Sequence, residues 1–171
     1  FLVITLNAFA LFTLKTSGFI NLWPDFKHEL LSIDFRERGR FVETNFNKVK
    51  LKPFNNNEKT KLLIIGDSHA QDFANIILES ELQNYFDVST HFIHAACGNL
   101  FLDNNFHNFI SKGFYTYCKN SGWYENDRVI SLMQQADTIL LVSSWQDWVV
   151  KLLPKSIENI ENFTDAKVLV S

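Results

Sequence analysis

The residues best suited to chemistry stand together in Gly66-Asp67-Ser68-His69, a hydroxyl flanked by a carboxylate and an imidazole. A serine is a useful nucleophile only where a base can take its proton and where donors await the oxyanion formed on attack. The second condition has a ready source here. Lys61-Leu62-Leu63-Ile64-Ile65 reads as a short strand buried on both faces, and Gly66 punctuates it. Asp67 and Ser68 are good N-cap residues for a helix from about Ala70 to Asn84, with Phe73, Ile76, Ile77 and Tyr85 tracking one face. A serine at such a turn lies at the carboxyl edge of the sheet, where open α/β folds place ligands. It also sits beside the free N–H groups and positive end of the helix. Ser68 is therefore the candidate nucleophile. The same residues also describe an ordinary capped turn, in which Ser68 merely satisfies backbone N–H groups.

The elements that must position this turn follow from the alternation of pattern. Strand one is Lys61–Ile65, and strand two is about Phe86–Ile93, with Val88, Thr90 and Phe92 alternating. After a long polar loop, a helix near Arg128–Ala136 leads into strand three, Thr138–Ser143. A further helix spans about Pro154–Asn162, and strand four is Lys167–Ser171. Strand–helix alternation implies right-handed crossovers and a mostly parallel sheet with helices on both faces. At 171 residues the chain has room for one such domain plus an appendage. A net charge of -3 gives no electrostatic case for nucleic acid as a partner. No CxxC or HExxH motif points to a metal.

Other segments reach the same edge of the sheet. His94-Ala95-Ala96-Cys97-Gly98-Asn99 directly follows strand two, and Val142-Ser143-Ser144-Trp145-Gln146-Asp147-Trp148 follows strand three. A loop glycine suits close approach of backbone to substrate, though it also marks a plain turn. Trp145 and Trp148, three apart, would share a face on a helix, either as core or as a sugar-stacking platform. Cys97 and Cys118 bracket a loop rich in Asn, Phe and Tyr, as a bridge or as two buried thiols.

Ahead of the core strand, Phe1 to Leu14 is apolar apart from Thr5, Asn7 and Thr13. Fourteen residues at a rise of about 1.5 Å fall short of a hydrocarbon core of about 30 Å. The favoured reading of residues 1–19 is the end of a transmembrane helix; a signal-peptide core and a buried helix are the competitors. Residues 20–58 read as a linker holding one amphipathic helix that covers an edge of the domain. The cluster Arg36, Arg38 and Arg40, diluted by Glu37 and Glu43, could alternatively meet anionic lipid head groups. Phe1 in place of Met and an apolar end at Ser171 make the chain read as an internal piece of a longer one.

The string Ile65-Gly66-Asp67-Ser68-His69-Ala70 resembles the first block of the SGNH (GDSL-like) hydrolases. Its Gly-Asp-Ser-His form is that of SGNH domains fused to acyltransferase family 3 membrane proteins. The resemblance implies a three-layer α/β sandwich over residues 59–171. It makes Ser68 the acyl-accepting nucleophile and the backbone N–H groups of Ser68 and Gly98 oxyanion donors, with Asn99 as a possible side-chain donor to substrate. It also favours a Cys97–Cys118 disulfide pinning the active-site loop. In the third block the family's usual Gly-x-Asn-Asp is replaced by Ser144-Trp145, similar to the Ser-x-Trp pattern of the fused branch, so the third oxyanion donor falls to Ser144 or Gln146. Trp145 would then face the substrate.

The family's late Asp-x-x-His block, which supplies the general base, has no counterpart: His28, His69, His91, His94 and His107 all precede strand three. The 59–171 domain is thus expected to be incomplete and inactive by itself. The parent implied is a bacterial plasma-membrane O-acyltransferase with this domain on the extracytoplasmic side. It would move an acyl group, most simply acetyl from acetyl-CoA or a similar donor handled by a membrane-embedded acyltransferase domain of the same chain, onto a cell-surface polysaccharide. No cofactor is expected in the domain itself. The alternatives are a serine esterase of the same family and a carbohydrate-binding module that has lost chemistry. A nucleotide- or flavin-binding domain is weakened by the absence of a Gly-rich phosphate loop after strand one.

Overall fold

Each apolar strand predicted from the sequence finds a partner in one parallel sheet. The structure is a computed structural model that describes residues 34–102, 104–121 and 123–171. Helix α1 is Phe35–Lys48, β1 is Thr60–Gly66, α2 is Ser68–Leu78 and β2 is Phe86–Phe92. Two 3-10 turns, Ala95–Cys97 and Asn104–Phe109, precede α3 (Lys112–Ser121) and α4 (Asp127–Gln135). Strand β3 (Thr138–Val142), helix α5 (Asp147–Phe163) and β4 (Lys167–Val170) complete the order. The sheet runs β2-β1-β3-β4, all parallel, so β1 has a neighbour on each side.

The alternation of side chains along β1 builds two cores. Leu62 and Ile64 pack with Phe46 of α1 and with Ala70, Ala74 and Ile77 of α2. Leu63 and Ile65 point the other way, onto Val129 and Met133 of α4 and Val149 and Ile160 of α5. Because both faces are covered, β1 needs the unbroken apolar run that its sequence shows. Helices α2 and α5 lie on opposite faces, as crossovers of one hand require when strands step outward in opposite directions from the centre. The three-layer α/β sandwich is as expected.

Several boundaries differ from the sequence reading, each for a local reason. Helix α2 stops at Leu78, and Ser80 caps a separate 3-10 turn over Glu81–Asn84, accepting the Leu82 N–H at 3.3 Å. Ile77 is buried, but Ile76 and Tyr85 are exposed, so the apolar face is narrower than predicted. Helix α5 starts at Asp147 and takes Pro154 into its interior. The hydrogen bond that Pro154 cannot donate is offset by burial of Val149, Ser156 and Ile160 along the same helix. Trp145 therefore precedes the helix and does not share a helical face with Trp148.

The compact unit runs Arg40–Ser171, so the α/β unit starts well before residue 59. Val42 and Phe46 of α1 are buried, Asn45 Nδ2 donates to Asn75 and Glu79, and Thr90 Oγ1 donates to the Phe46 carbonyl at 3.0 Å. The amphipathic helix expected within residues 20–58 thus supplies part of a layer. Of the preceding unit, only residues 34–39 are described: Asp34 caps α1 by accepting the Arg36 and Glu37 N–H groups, and Arg36 and Arg38 are exposed. The membrane segment expected at 1–19 lies outside the described residues. Among the described residues no helix is long and apolar enough to cross a membrane.

Candidate active site

Gly66 brings β1 against β3 so closely that a Cβ there would stand 1.6 Å from the Val142 carbonyl oxygen. That contact admits no side chain. The next residue, Asp67, is buried, and its carboxylate gathers donors from two loops. Oδ1 accepts the His69 N–H at 2.9 Å and caps α2. Oδ2 accepts the Ser143 hydroxyl at 2.9 Å and the Ser144 N–H at 2.7 Å.

With Asp67 as the cap, Ser68 becomes the first residue of α2 and is exposed. Its hydroxyl and its N–H make no hydrogen bond among the described residues. The alternative in which Ser68 is only a helix cap is therefore corrected: the cap is its neighbour. A free hydroxyl beside a free N–H at the positive end of a helix is suited to attack on a carbonyl with the oxyanion held by that N–H.

The loop after β2 is tied to the same edge. Ile93 N–H donates to the Gly66 carbonyl at 2.8 Å, and Asn99 Nδ2 donates to the Ile65 carbonyl at 2.9 Å. Asn99 Oδ1 in turn accepts the Tyr124 hydroxyl at 2.6 Å. Asn99 is only 1% exposed and both ends of its amide are occupied. The substrate-facing role expected for it is corrected: it braces the end of β1, next to the Gly66-Asp67-Ser68 turn. Burial holds the Tyr124 phenol far above its ordinary pKa, so it stays a donor.

Two of the expected oxyanion donors are already committed. The Gly98 N–H donates to the Ala95 carbonyl at 3.2 Å. Gly98 is needed for another reason: its φ is 70°, and a Cβ would meet the Trp148 ring at 2.4 Å. The Ser144 N–H is held by Asp67, while its side chain remains exposed. Gln146 is engaged too, donating from Nε2 to the Ala95 carbonyl at 3.2 Å and accepting the Trp148 indole N–H at 2.6 Å. Trp145 is half-buried against the core, and its indole N–H donates to the Ser171 carbonyl at 2.7 Å. That leaves the Ser68 N–H and the exposed Ser144 hydroxyl as the open donors of the set.

Cys97 and Cys118 form a disulfide, both fully buried, that ties the loop after β2 to α3. The same insert is clamped from the sheet by His91, whose Nε2 bonds the Trp123 carbonyl, while the Trp123 indole N–H donates to the Cys97 carbonyl at 3.0 Å. Burial lowers the His91 pKa; the Trp123 carbonyl acts in the opposite sense, and Lys50 adds to the lowering. No histidine is hydrogen-bonded to Ser68 among the described residues, and no group of three His, Cys, Asp or Glu side chains there could hold a metal. A cavity of about 130 Å³ between Phe106, His107, Trp123 and Tyr124, and an apolar groove of about 310 Å³ beside Phe73, Leu140 and Leu169, are lined by other residues than Ser68.

Sequence reasoning missed Asp67 as the hub, together with Tyr124. Asp67 carried a signal, as an N-cap residue type directly after a buried strand; Tyr124 carried none. The model of one protein family, the SGNH domain (fused to AT3 domains), matches residues 37–167. No curated protein and no solved structure matches the chain.

Proposed function

The chain belongs to the family of SGNH domains fused to AT3 domains, and from that premise we propose that it carries the acyl-ester step of a membrane O-acyltransferase. The family itself supports esterase-like or acyl-transfer chemistry in general. The observation that carries the reading is the exposed, uncommitted Ser68 hydroxyl at the start of α2, with Asp67 doing the capping in its place.

In the proposed reaction Ser68 Oγ attacks the carbonyl carbon of an acyl donor, and the carbonyl electron pair moves onto oxygen. The Ser68 N–H, at the positive helix end, holds that oxyanion. Collapse expels the donor's leaving group and gives the Ser68 ester. An acceptor hydroxyl then attacks the ester and releases Ser68, with a polysaccharide hydroxyl giving transfer and water giving hydrolysis. Proton transfer falls to the histidine and aspartate of the Asp-x-x-His block that the resemblance implies, which this sequence does not include. The donor is acetyl-CoA or a similar acyl carrier, used through the AT3 domain, and the site faces the extracytoplasmic side of a bacterial plasma membrane.

Ser68→Ala in the full-length protein tests this. The O-acetyl content of the cell-surface polysaccharide should fall to the level of a strain lacking the gene, with the protein still present in the membrane. Undiminished acetylation would overturn the reading.

A further inference from the structure

We infer that Asp67 is a positioning residue that selects which N–H group meets the oxyanion. This rests on the reading of Ser68 as nucleophile. Three donors converge on its carboxylate: the His69 N–H, the Ser144 N–H and the Ser143 hydroxyl. Without Asp67, the His69 and Ser144 amides would be uncommitted donors at the same turn, free to draw an incoming carbonyl off line. By taking both, the carboxylate leaves the Ser68 N–H as the donor beside the hydroxyl. It also fixes the turn after β1 to the loop after β3, so that the nucleophile cannot shift without breaking a buried, charge-assisted contact.

The role requires a carboxylate and not merely its shape. An amide in the same place has a single acceptor oxygen. Whichever way it is turned, its NH2 would face the His69 N–H or the Ser144 N–H, setting donor against donor; only the Ser143 hydroxyl could turn to accept. Asp67→Asn is therefore close to isosteric, yet should misplace one loop relative to Ser68.

The experiment is labelling of the full-length protein with an alkyl fluorophosphonate, followed by mass spectrometry of the peptide containing Ser68. In the labelling step the Ser68 Oγ–P bond forms, P–F breaks, and fluoride and the hydroxyl proton leave. Asp67→Asn should lower kinact by about tenfold or more with KI within about twofold, since positioning acts on the bonded step and not on encounter. The comparison variant is Asn45→Ala, which removes the amide hydrogen-bonded to Asn75 and Glu79 at the far end of α2. It should lower Tm while leaving kinact unchanged.

The inference is overturned if Asp67→Asn labels at the wild-type rate, or if Asn45→Ala slows labelling equally. Wild-type protein that does not label at Ser68 overturns the nucleophile reading as well, a separate outcome from loss of the Asp67 effect alone.

Discussion

At Gly66 the space for a side chain is occupied by the Val142 carbonyl oxygen, 1.6 Å from where a Cβ would stand. Gly66→Ala should push β1 from β3 at the site's edge and cost about 4 kcal/mol or more, read as loss of a cooperative unfolding transition at ordinary temperature. Gly98→Ala is milder, because the Trp148 ring can yield where a backbone carbonyl cannot. Its positive φ and the tight contact together should cost about 1–3 kcal/mol in a denaturant titration. At this scale the sequence was legible for position and poor for direction. Ser68 and Gly98 stand where strand-end reasoning placed them. Nothing in the order of residues told that the Asn99 amide turns inward to the Ile65 carbonyl, or that the Gly98 and Ser144 N–H groups are spent on Ala95 and Asp67.

The insert between β2 and α4 behaves as one element held from two sides, by the disulfide and by the His91 contact to Trp123. The bridge spans 21 positions of sequence, a loop whose closure should be worth about 3 kcal/mol. The double variant Cys97→Ser, Cys118→Ser should show that loss by denaturant titration, with the strands' core contacts retained. His91 gives a pH dependence whose sign follows from its burial. Its pKa in the folded protein lies below the ordinary 6.5, so the unfolded chain takes up the proton first. Stability from this group is full above that pH and falls as the pH drops below it. His91→Gln should flatten that part of a plot of unfolding free energy against pH; an unchanged slope would show that another group is responsible. Sequence pattern found the strands here and left the insert as a polar loop. Its order comes from contacts distant along the chain, such as Tyr124 with Asn99, which leave no periodic trace.

Across the whole molecule, strand–helix alternation was enough to specify a parallel sheet with two covered faces, since each half-buried pattern needs a partner layer. The start of the domain was harder to read. Residues 20–58 read as a linker with one amphipathic helix, yet α1 there seats Phe46 at 0% exposure in the core, and the family match begins at residue 37. Phe46→Ala should cost about 3–5 kcal/mol, close to what a small domain can lose and remain folded. A chain beginning at residue 59 should accordingly be less soluble and less stable than one beginning at residue 34. If the domain carries the proposed acyl-ester step, Ser68 becomes acylated during turnover. The most direct measurement is peptide mass spectrometry of the full-length protein, acid-quenched during turnover with its acyl donor. One acetyl mass on the peptide containing Ser68, absent in Ser68→Ala, is the predicted result. An acyl group found elsewhere, or turnover undiminished in Ser68→Ala, would contradict it.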